Sequence, residues 1–559
     1  MSGSAPPPTT TPGDLPWPGV VGLCLSGGGY RATVFHLGVF CYLERLGLLA
    51  HARMISAVSG ATFTATSYAL SLVEKRSFDD FFATFYTALS ETNLVELGLG
   101  ELTTVGSERP SGRENIILAM ADVYAARFYA DSEGRPYTFG DILACECHLH
   151  ELILNGLDYR RAEAFLFQRS VSSDIPVGNQ RLRVPVQDAA KIRLADIVAT
   201  CTSIPAAFEP LEFPDDFSWP GGVVPEDTRR LFSDAQGQPS PVPLMDGGLH
   251  DNQGIDSLLL ADERNPEALD LFVLSDVFRE PNEHYRMPEK RGNGGPTIGQ
   301  IALIAWLLFW VGVISVGALV TSAVMKIQAD EFRLVWDSLV LIVPMALSIA
   351  VLYLLWRIRR MVIDTLLSRI PQAGLRSEAY IRKMSLAQIV EMVDIRIVTL
   401  IATSTTIVWK RVRNLGYRLV YGVKGYEGKR VSCLLDHLRP GRPFVQLPGV
   451  KPPTARLRQV AEVAGNMPTI LWFLDDYQQP CIAATGQASL CYNLMKHIVR
   501  HHGQDPGQFP EPVAALWKQL TDDWNKLRED PYALLRERMP GGTFPRPPAA
   551  ETGPEKPAT

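Results

Sequence analysis

The segment VVGLCLSGGGYRATVFHLGVFCYLERLGLLAHARMISAVSGATFTATSYALSLVEK, Val20–Lys75, contains one pattern twice. Val20–Leu25 is an apolar run of strand length, followed by Ser26-Gly27-Gly28-Gly29-Tyr30-Arg31 and an apolar helical stretch, Ala32–Leu46. Met54–Val58 is a second such run; it ends sharply at Ser59-Gly60 and passes into helix-like ATFTATSYALSLVEK. Strand, tight turn and helix, repeated, predict an α/β fold whose mostly parallel central sheet carries its functional groups at the carboxyl ends of the strands.

The two turns suit different chemistry. Three successive glycines at a helix start leave backbone N–H groups uncovered at the positive end of the helix dipole, where a phosphate or an oxyanion is stabilised. A Walker loop needs Lys followed by Ser or Thr, and here Tyr30-Arg31-Ala32-Thr33 stands instead; dinucleotide loops want another glycine spacing. A purely structural glycine turn stays open. At the second turn, Ala57-Val58-Ser59-Gly60-Ala61 puts a serine where a strand turns into a helix, as in a nucleophile elbow, although alanines replace both outer glycines. A helix-capping Ser59 is the alternative. A partner for a nucleophilic serine is offered by PLMDGGLHDNQGID, where Asp246 follows a short apolar run and precedes Gly247-Gly248; an Asp-Gly turn is the plain alternative. His250 lies too close to Asp246 in sequence for the separate-loop placement of a triad and ranks as a neighbour.

The middle of the chain reads differently. No charged residue occurs from Gly292 to Met325. The run Ile301–Met325, about 25 residues, makes roughly 37 Å of helix, and Ser338–Trp356 makes about 28 Å. Joined by the short connector Lys326–Asp337, they predict a transmembrane hairpin with both flanks on one side. Arg286, Lys290 and Arg291 before it and Arg357, Arg359 and Arg360 after it, against Lys326 and Arg333 between, place those flanks in the cytoplasm.

The whole chain of 559 residues is 46% hydrophobic and 20% charged, which excludes a chain disordered throughout. With 54 basic and 60 acidic residues the net charge is −6, which offers no polycationic face to nucleic acid. Eight cysteines are too sparse for a disulfide scaffold and fit a reducing compartment. Cys145-Glu146-Cys147-His148-Leu149-His150 packs soft ligands together without the partner spacing of zinc modules, so no metal or other cofactor is expected. Ile395–Trp409 is too short for a confident span and reads as a core helix, with an interfacial helix as the alternative. Trp517–Arg538 reads as a charged amphipathic helix, solvent-exposed or docking on a partner. The first residues have neither a basic start nor an apolar run and read as a flexible tail, as do those from about Pro540 onward.

Taken together, S-G-G-G-x-R-A, then A-V-S-G-A, then D-G-G followed by D-N-x-G resemble the patatin-like phospholipase family. ADIVATCTSIPAAFEPLEF (Ala195–Phe213) and LFVLSDVF look similar to further parts of it, and residues 361–502 resemble the helical end of bacterial members. The resemblance implies a three-layer α/β/α fold and hydrolysis of lipid acyl esters by a Ser-Asp dyad without catalytic histidine or metal. By motif matching, Ser59 is the nucleophile, Asp246 its partner, Gly27, Gly28 and Gly29 the oxyanion loop and Arg31 the supporting basic residue, while Ala32 and Ala61 depart from the commoner glycines. The expected organisation is a disordered tail (1–17), a catalytic core (18–295), the hairpin (296–357), a helical continuation (358–505) and an amphipathic helix with a tail (506–559). The expected partners are a phospholipid or lysophospholipid substrate and the lipid bilayer, and the expected place is a membrane, the bacterial inner membrane, with the catalytic domain cytoplasmic. A rival from another class is a catalytically silent membrane scaffold; acyl transfer to an acceptor other than water would use the same residues.

Overall fold

The computed structural model describes residues 19–102, 109–205, 207–265, 267, 269–279, 295–329, 383–403, 407–422 and 424–548, with single positions at 346, 350, 353, 356 and 357. Two compact units are present: one built from the chain up to Asn282 and again from Val408 onward, the other from Glu283–Ile407.

The strands of the first unit are β1 (Val21–Leu25), β2 (Ala52–Val58), β3 (Glu151–Asp158), β4 (Glu163–Ser170), β5 (Val177–Gly178), β6 (Arg183–Val184), β7 (Leu211–Phe213), β8 (Val242–Asp246), β9 (Leu271–Asp276) and β10 (Arg430–Leu434). The helices needed below are α1 (Gly29–Arg45), α2 (Ala61–Val73), α3 (Leu194–Thr202), α4 (Ile255–Arg264), α5 (Ile298–Gln328), α6 (Leu386–Ala402), α7 (Val408–Gly422), α8 (Gln478–His502) and α9 (Glu511–Glu529).

The sheet runs β10-β9-β1-β2-β3-β4-β5-β6, with β8 also on β3 and β7 on β8. From β10 to β3 it is parallel, and beyond β3 every pair is antiparallel. The expectation of a mostly parallel sheet is therefore corrected to a mixed one. The cause is local: Asp158 accepts the N–H groups of Arg160 and Arg161 and folds the chain back, so that Asp158 pairs with Glu163 and β4 has to return antiparallel.

Alternate residues of the parallel strands face two separate cores. Leu23, Ile55, Leu152 and Val273 pack with α1, α2 and α8, whereas Cys24, Met54, Ile153, Phe272 and Leu274 pack with Ile255 and Leu258 of α4 and Val420 of α7. Helices thus cover both faces, and the face formed with α8 needs residues from after the second unit. On that face α1 and α8 cross at two glycines. A Cβ on Gly38 would lie 2.2 Å from the Ala483 carbonyl oxygen, and one on Gly486 2.4 Å from that of Phe35. Arg45, at the end of α1, places Nε and Nη2 on Asp523 of α9 at 2.9 and 2.7 Å. The amphipathic C-terminal helix is therefore neither solvent-exposed all round nor free for a partner on its apolar side, since Trp517, Leu520 and Trp524 are buried in the chain's own core.

In the second unit, Thr297 and Gln300 cap α5 reciprocally, as Ser385 and Gln388 cap α6. Ile397, Val398 and Leu400 of α6 are exposed, so this part of Ile395–Trp409 is not the core helix expected. The transmembrane hairpin expected over 296–357 finds no support: among the described residues no helix is long and apolar enough to cross a membrane. Its first run forms α5, several of whose side chains lie outside the described residues, as does nearly all of the second run. The tail 1–17 also falls outside them, as do residues 549–559 of the tail expected from about Pro540; its earlier part is held to the fold, with Phe544 against Tyr86 and Tyr532 and the Pro548 carbonyl accepting from Gln459.

The glycine crossing makes a direct prediction. Gly38→Ala or Gly486→Ala forces a methyl group into a backbone carbonyl, and overpacking of this kind costs about 1–3 kcal/mol. Urea unfolding should show a lowered midpoint for either variant.

Candidate functional site

Register alone brings the two turns together. Leu25, the last residue of β1, lies opposite Ala57 of β2, so the chain two residues further on is Gly27 on one strand and Ser59 on the other. A Cβ on Gly27 would lie 2.8 Å from the Ser59 Cβ. Asp246 arrives from the opposite direction. On β3, Val58 pairs with Asn155 and Asp246 pairs with the next residue, Gly156, so β2 and β8 end against each other along one neighbour. Residues nearly two hundred positions apart in sequence therefore meet across one step of β3.

Ser59 has φ +53°, and it alone of the elbow residues Ala57–Ala61 takes a positive φ. The alanines at 57 and 61 consequently stand where no glycine conformation is required. Ser59 is partly exposed between buried neighbours. Its carbonyl accepts the Thr62 N–H at 2.9 Å and hydroxyl at 2.6 Å, which fixes the turn. Gly60 is the tightest point: a Cβ there would lie 2.1 Å from the Gly29 carbonyl oxygen. The Thr33 hydroxyl, on α1, is within 2.7 Å of the Gly60 carbonyl and 3.2 Å of the Gly29 carbonyl and ties loop to elbow.

The glycine loop is held from three sides. The Gly27 N–H donates to the Asn252 carbonyl at 3.0 Å, so Gly27 shapes the loop but supplies no N–H to its mouth, a correction to its expected part in the oxyanion loop. Among the described residues no acceptor takes the N–H of Gly28, Gly29 or Gly60. Gly29 has φ +57°, and a Cβ on it would meet the Ile470 carbonyl oxygen at 2.6 Å. That same carbonyl accepts the Tyr30 N–H at 2.9 Å. Arg31 donates to the Met467 carbonyl at 2.7 Å and lies 3.4 Å from the Thr469 hydroxyl, which ties its guanidinium to this C-terminal segment; burial pulls it down to about 10. On the β9 side, His36 bridges the Ser26 carbonyl and the Ser275 hydroxyl, each at 2.9 Å, and burial lowers it to about 4, leaving it neutral.

Asp246 is buried. Its backbone N–H donates to the carbonyl of Ser203, just past α3, and its Oδ1 accepts the Gly248 N–H at 2.8 Å. Burial pushes the carboxyl up to about 6, against the opposing pull of the Ser59 hydroxyl and the Gly248 N–H. A carboxylate of raised basicity beside a strained serine hydroxyl, with unspent backbone N–H groups at a helix start, is suited to moving a proton and holding an oxyanion.

Asn155, Asn252, Thr33, Gly60 and Ile470 were not singled out from the sequence. Asn155 donates to the Ser56 hydroxyl and the Ala57 carbonyl, both at 2.9 Å, and so steadies the strand end before Ser59. Asn252 carried a signal in its D-N-x-G setting, and Thr33 was a polar residue in an apolar helix; Ile470 carried none. His250 is exposed beside the Asp246 turn. In the Cys145–His150 cluster the Tyr68 hydroxyl meets His148 Nε2 at 3.2 Å, and among the described residues no group of three His, Cys, Asp or Glu is placed to hold a metal ion.

This geometry coincides with a match to a family model. Residues 23–259 match that of the patatin-like phospholipases, and the chain carries a patatin-like phospholipase domain. Two solved structures of human GIVD cytosolic phospholipase A2 are similar. The first, at 16% identity and a TM-score of 0.31, aligns over 45% of this chain and 42% of its own. The second, in complex with a methyl γ-linolenyl fluorophosphonate inhibitor and terbium chloride, has 16% identity and a TM-score of 0.24, over 33% and 30%. The chain thus spans less than half the length of either. No curated protein matches the chain.

The elevated Asp246 pKa has a consequence for stability. Its folded value lies above the unfolded value of about 4, so its contribution is fully present below pH 4 and is lost as pH rises through about 6. Asp246→Asn, which keeps the acceptor for Gly248, should therefore gain thermal stability relative to the parent between pH 4 and pH 8. Melting curves across that range, and a carboxyl titration by difference infrared spectroscopy with a midpoint near 6, check the assignment.

Proposed function

We propose that the protein is a membrane-associated serine lipid acyl hydrolase of the phospholipase A or lysophospholipase type, working through Ser59 and Asp246. The observation that carries the reading is the abutment of β2 and β8 on β3, which sets a positive-φ serine against a buried carboxylate of raised pKa. In the mechanism, Asp246 takes the proton from Ser59 Oγ as that oxygen attacks the ester carbonyl. The N–H groups of Gly28, Gly29 and Gly60 hold the oxyanion. Collapse expels the alcohol, which regains the proton from Asp246, and water then releases the fatty acid by the same route.

The patatin-like domain supports lipid as the substrate class. Association with a bilayer is supported by α5, which is uncharged from Ile298 to Met325 and exposes Leu303, Trp306, Trp310, Ile314 and Met325. A cytoplasmic site at the bacterial inner membrane is part of the same proposal.

Purified full-length protein should release fatty acid from dispersed phospholipid and react with a fluorophosphonate probe. Ser59→Ala should abolish both, and Asp246→Asn should lower the rate by about 10²–10⁴-fold without loss of fold. Gly60→Ala should cost about 10²–10³-fold, because the added methyl displaces the Gly29 loop. The parent rate should fall below pH 6 as Asp246 takes up its proton. Equal probe labelling of parent and Ser59→Ala, with no fatty acid from either, refutes the reading and favours a silent scaffold.

For the bilayer, full-length protein should float with lipid vesicles in a density gradient. Deletion of residues 297–328 should weaken that flotation. Unchanged flotation of the deleted form would remove α5 from this role.

A further inference from the structure

The helix α7 carries Lys410, Arg411, Arg413 and Arg418 and no acidic residue. Its two faces differ sharply. The inner face is bolted to the catalytic unit. Arg413 Nε and the Tyr417 hydroxyl reach Asp276 Oδ2 at 2.7 and 3.0 Å, Gly416 lies against Gln253, and Val420 is fully buried. Burial raises the Asp276 carboxyl, but the Arg413 guanidinium more than offsets it and keeps the group ionised. The outer face presents Val408 at 41%, Leu415 at 45% and Leu419 at 42% exposure, with Arg411 and Arg418 exposed in the same stripe, while Tyr421, to one side, bonds Ser432 and lies under the Arg430 guanidinium. The spacing 408, 411, 415, 418/419 is one side of a helix.

We propose that this outer face of α7 is a docking surface for an anionic lipid bilayer, with Val408, Leu415 and Leu419 entering the headgroup boundary and Arg411 and Arg418 bonding to lipid phosphates. The proposal rests on the lipid-hydrolase reading and adds a preference that the reading does not contain. Charge complementarity selects the occupant: a partner protein's apolar groove would leave two arginines to desolvate, whereas a bilayer boundary takes apolar side chains and cations at the same depth. The surface is also coupled to the site. Asp276, which α7 grips, is followed by Val277, whose N–H donates to Ser26 Oγ at 2.9 Å and whose Cγ2 lies 2.7 Å from a Cβ placed on Gly28. Docking on α7 therefore braces the strand end that supports the glycine loop.

The test uses full-length protein with Cys145 and Cys147 changed to Ser and Leu419→Cys carrying an environment-sensitive fluorophore. Phosphatidylcholine vesicles are offered with or without about 30 mol % phosphatidylglycerol, at low salt and at about 0.5 M salt, where the screening length is only a few ångströms. Fluorescence should rise with the anionic vesicles alone and fall back at high salt. With each basic residue near such a surface worth about 1 kcal/mol, Arg411→Glu/Arg418→Glu should shift the vesicle titration by at least about tenfold, and Arg411→Gln/Arg418→Gln by less. The Glu pair should keep its rate on a water-soluble ester while losing the stimulation by phosphatidylglycerol. An equal signal with neutral vesicles, or an unshifted titration in the Glu pair, overturns the proposal. A normal fluorescence response in a protein that hydrolyses neither vesicle lipid nor soluble ester would instead refute the hydrolase reading and leave the docking surface standing.

Discussion

The site depends on two backbones being allowed closer than any side chain permits. The Gly29 carbonyl occupies the place of a Gly60 Cβ, and Thr33 binds both carbonyls, so the glycine loop and the serine elbow form one rigid piece rather than two neighbouring loops. The N–H groups of Gly28, Gly29 and Gly60 are fixed before any ligand arrives, which is what stabilisation of a developing negative charge requires. A methyl group at either close contact would separate these N–H groups from the Ser59 hydroxyl without touching either.

Three buried carboxylates surround this piece, and their environments sort them. Asp276 faces a guanidinium and stays ionised as a structural anchor. Asp251 is pushed up to about 6 by burial and the nearby Asp256, but the N–H groups of Gln253 and Asp256 hold its oxygens in the turn after Asp246. Asp246 has the same elevated pKa with only one backbone N–H on it and the Ser59 hydroxyl before it. It is the member of the set whose proton affinity is raised while its surroundings leave it able to act on a serine, as a base requires.

What was legible in the sequence was local. Apolar runs ending in Ser-Gly-Gly-Gly and Ser-Gly gave β1, β2, α1 and α2, because period and turn chemistry act over a few residues. Ser59 and Asp246 could be singled out for the same reason, each ending an apolar run at a glycine. The mixed sheet was not legible, since the Asp158–Glu163 return resembles any polar turn until β3 and β4 are paired. Nor was the role of Gly27: its glycine is needed against Ser59 and Asn252, and only a partner 225 positions away shows that its N–H is already spent. Ile470 acts through a backbone carbonyl, which no side-chain identity announces.

The interruption of the first unit by Glu283–Ile407 gains meaning from those long-range contacts. The family model ends at residue 259, yet Met467, Thr469 and Ile470 hold the start of α1, α8 packs along it through Gly486, and β10 and α7 flank Asp276. A chain ending before the second unit would keep Ser59 and Asp246 but lose the groups that set the glycine loop and the arginine that neutralises Asp276. Asp276, at the strand end that supports Gly28, would then lose its counter-charge and keep only the Phe278 N–H and the Gln253 amide, and breaking a buried ion pair by removing one partner is among the costlier defects a fold can carry. The C-terminal return is therefore part of the site's electrostatics as well as of its packing.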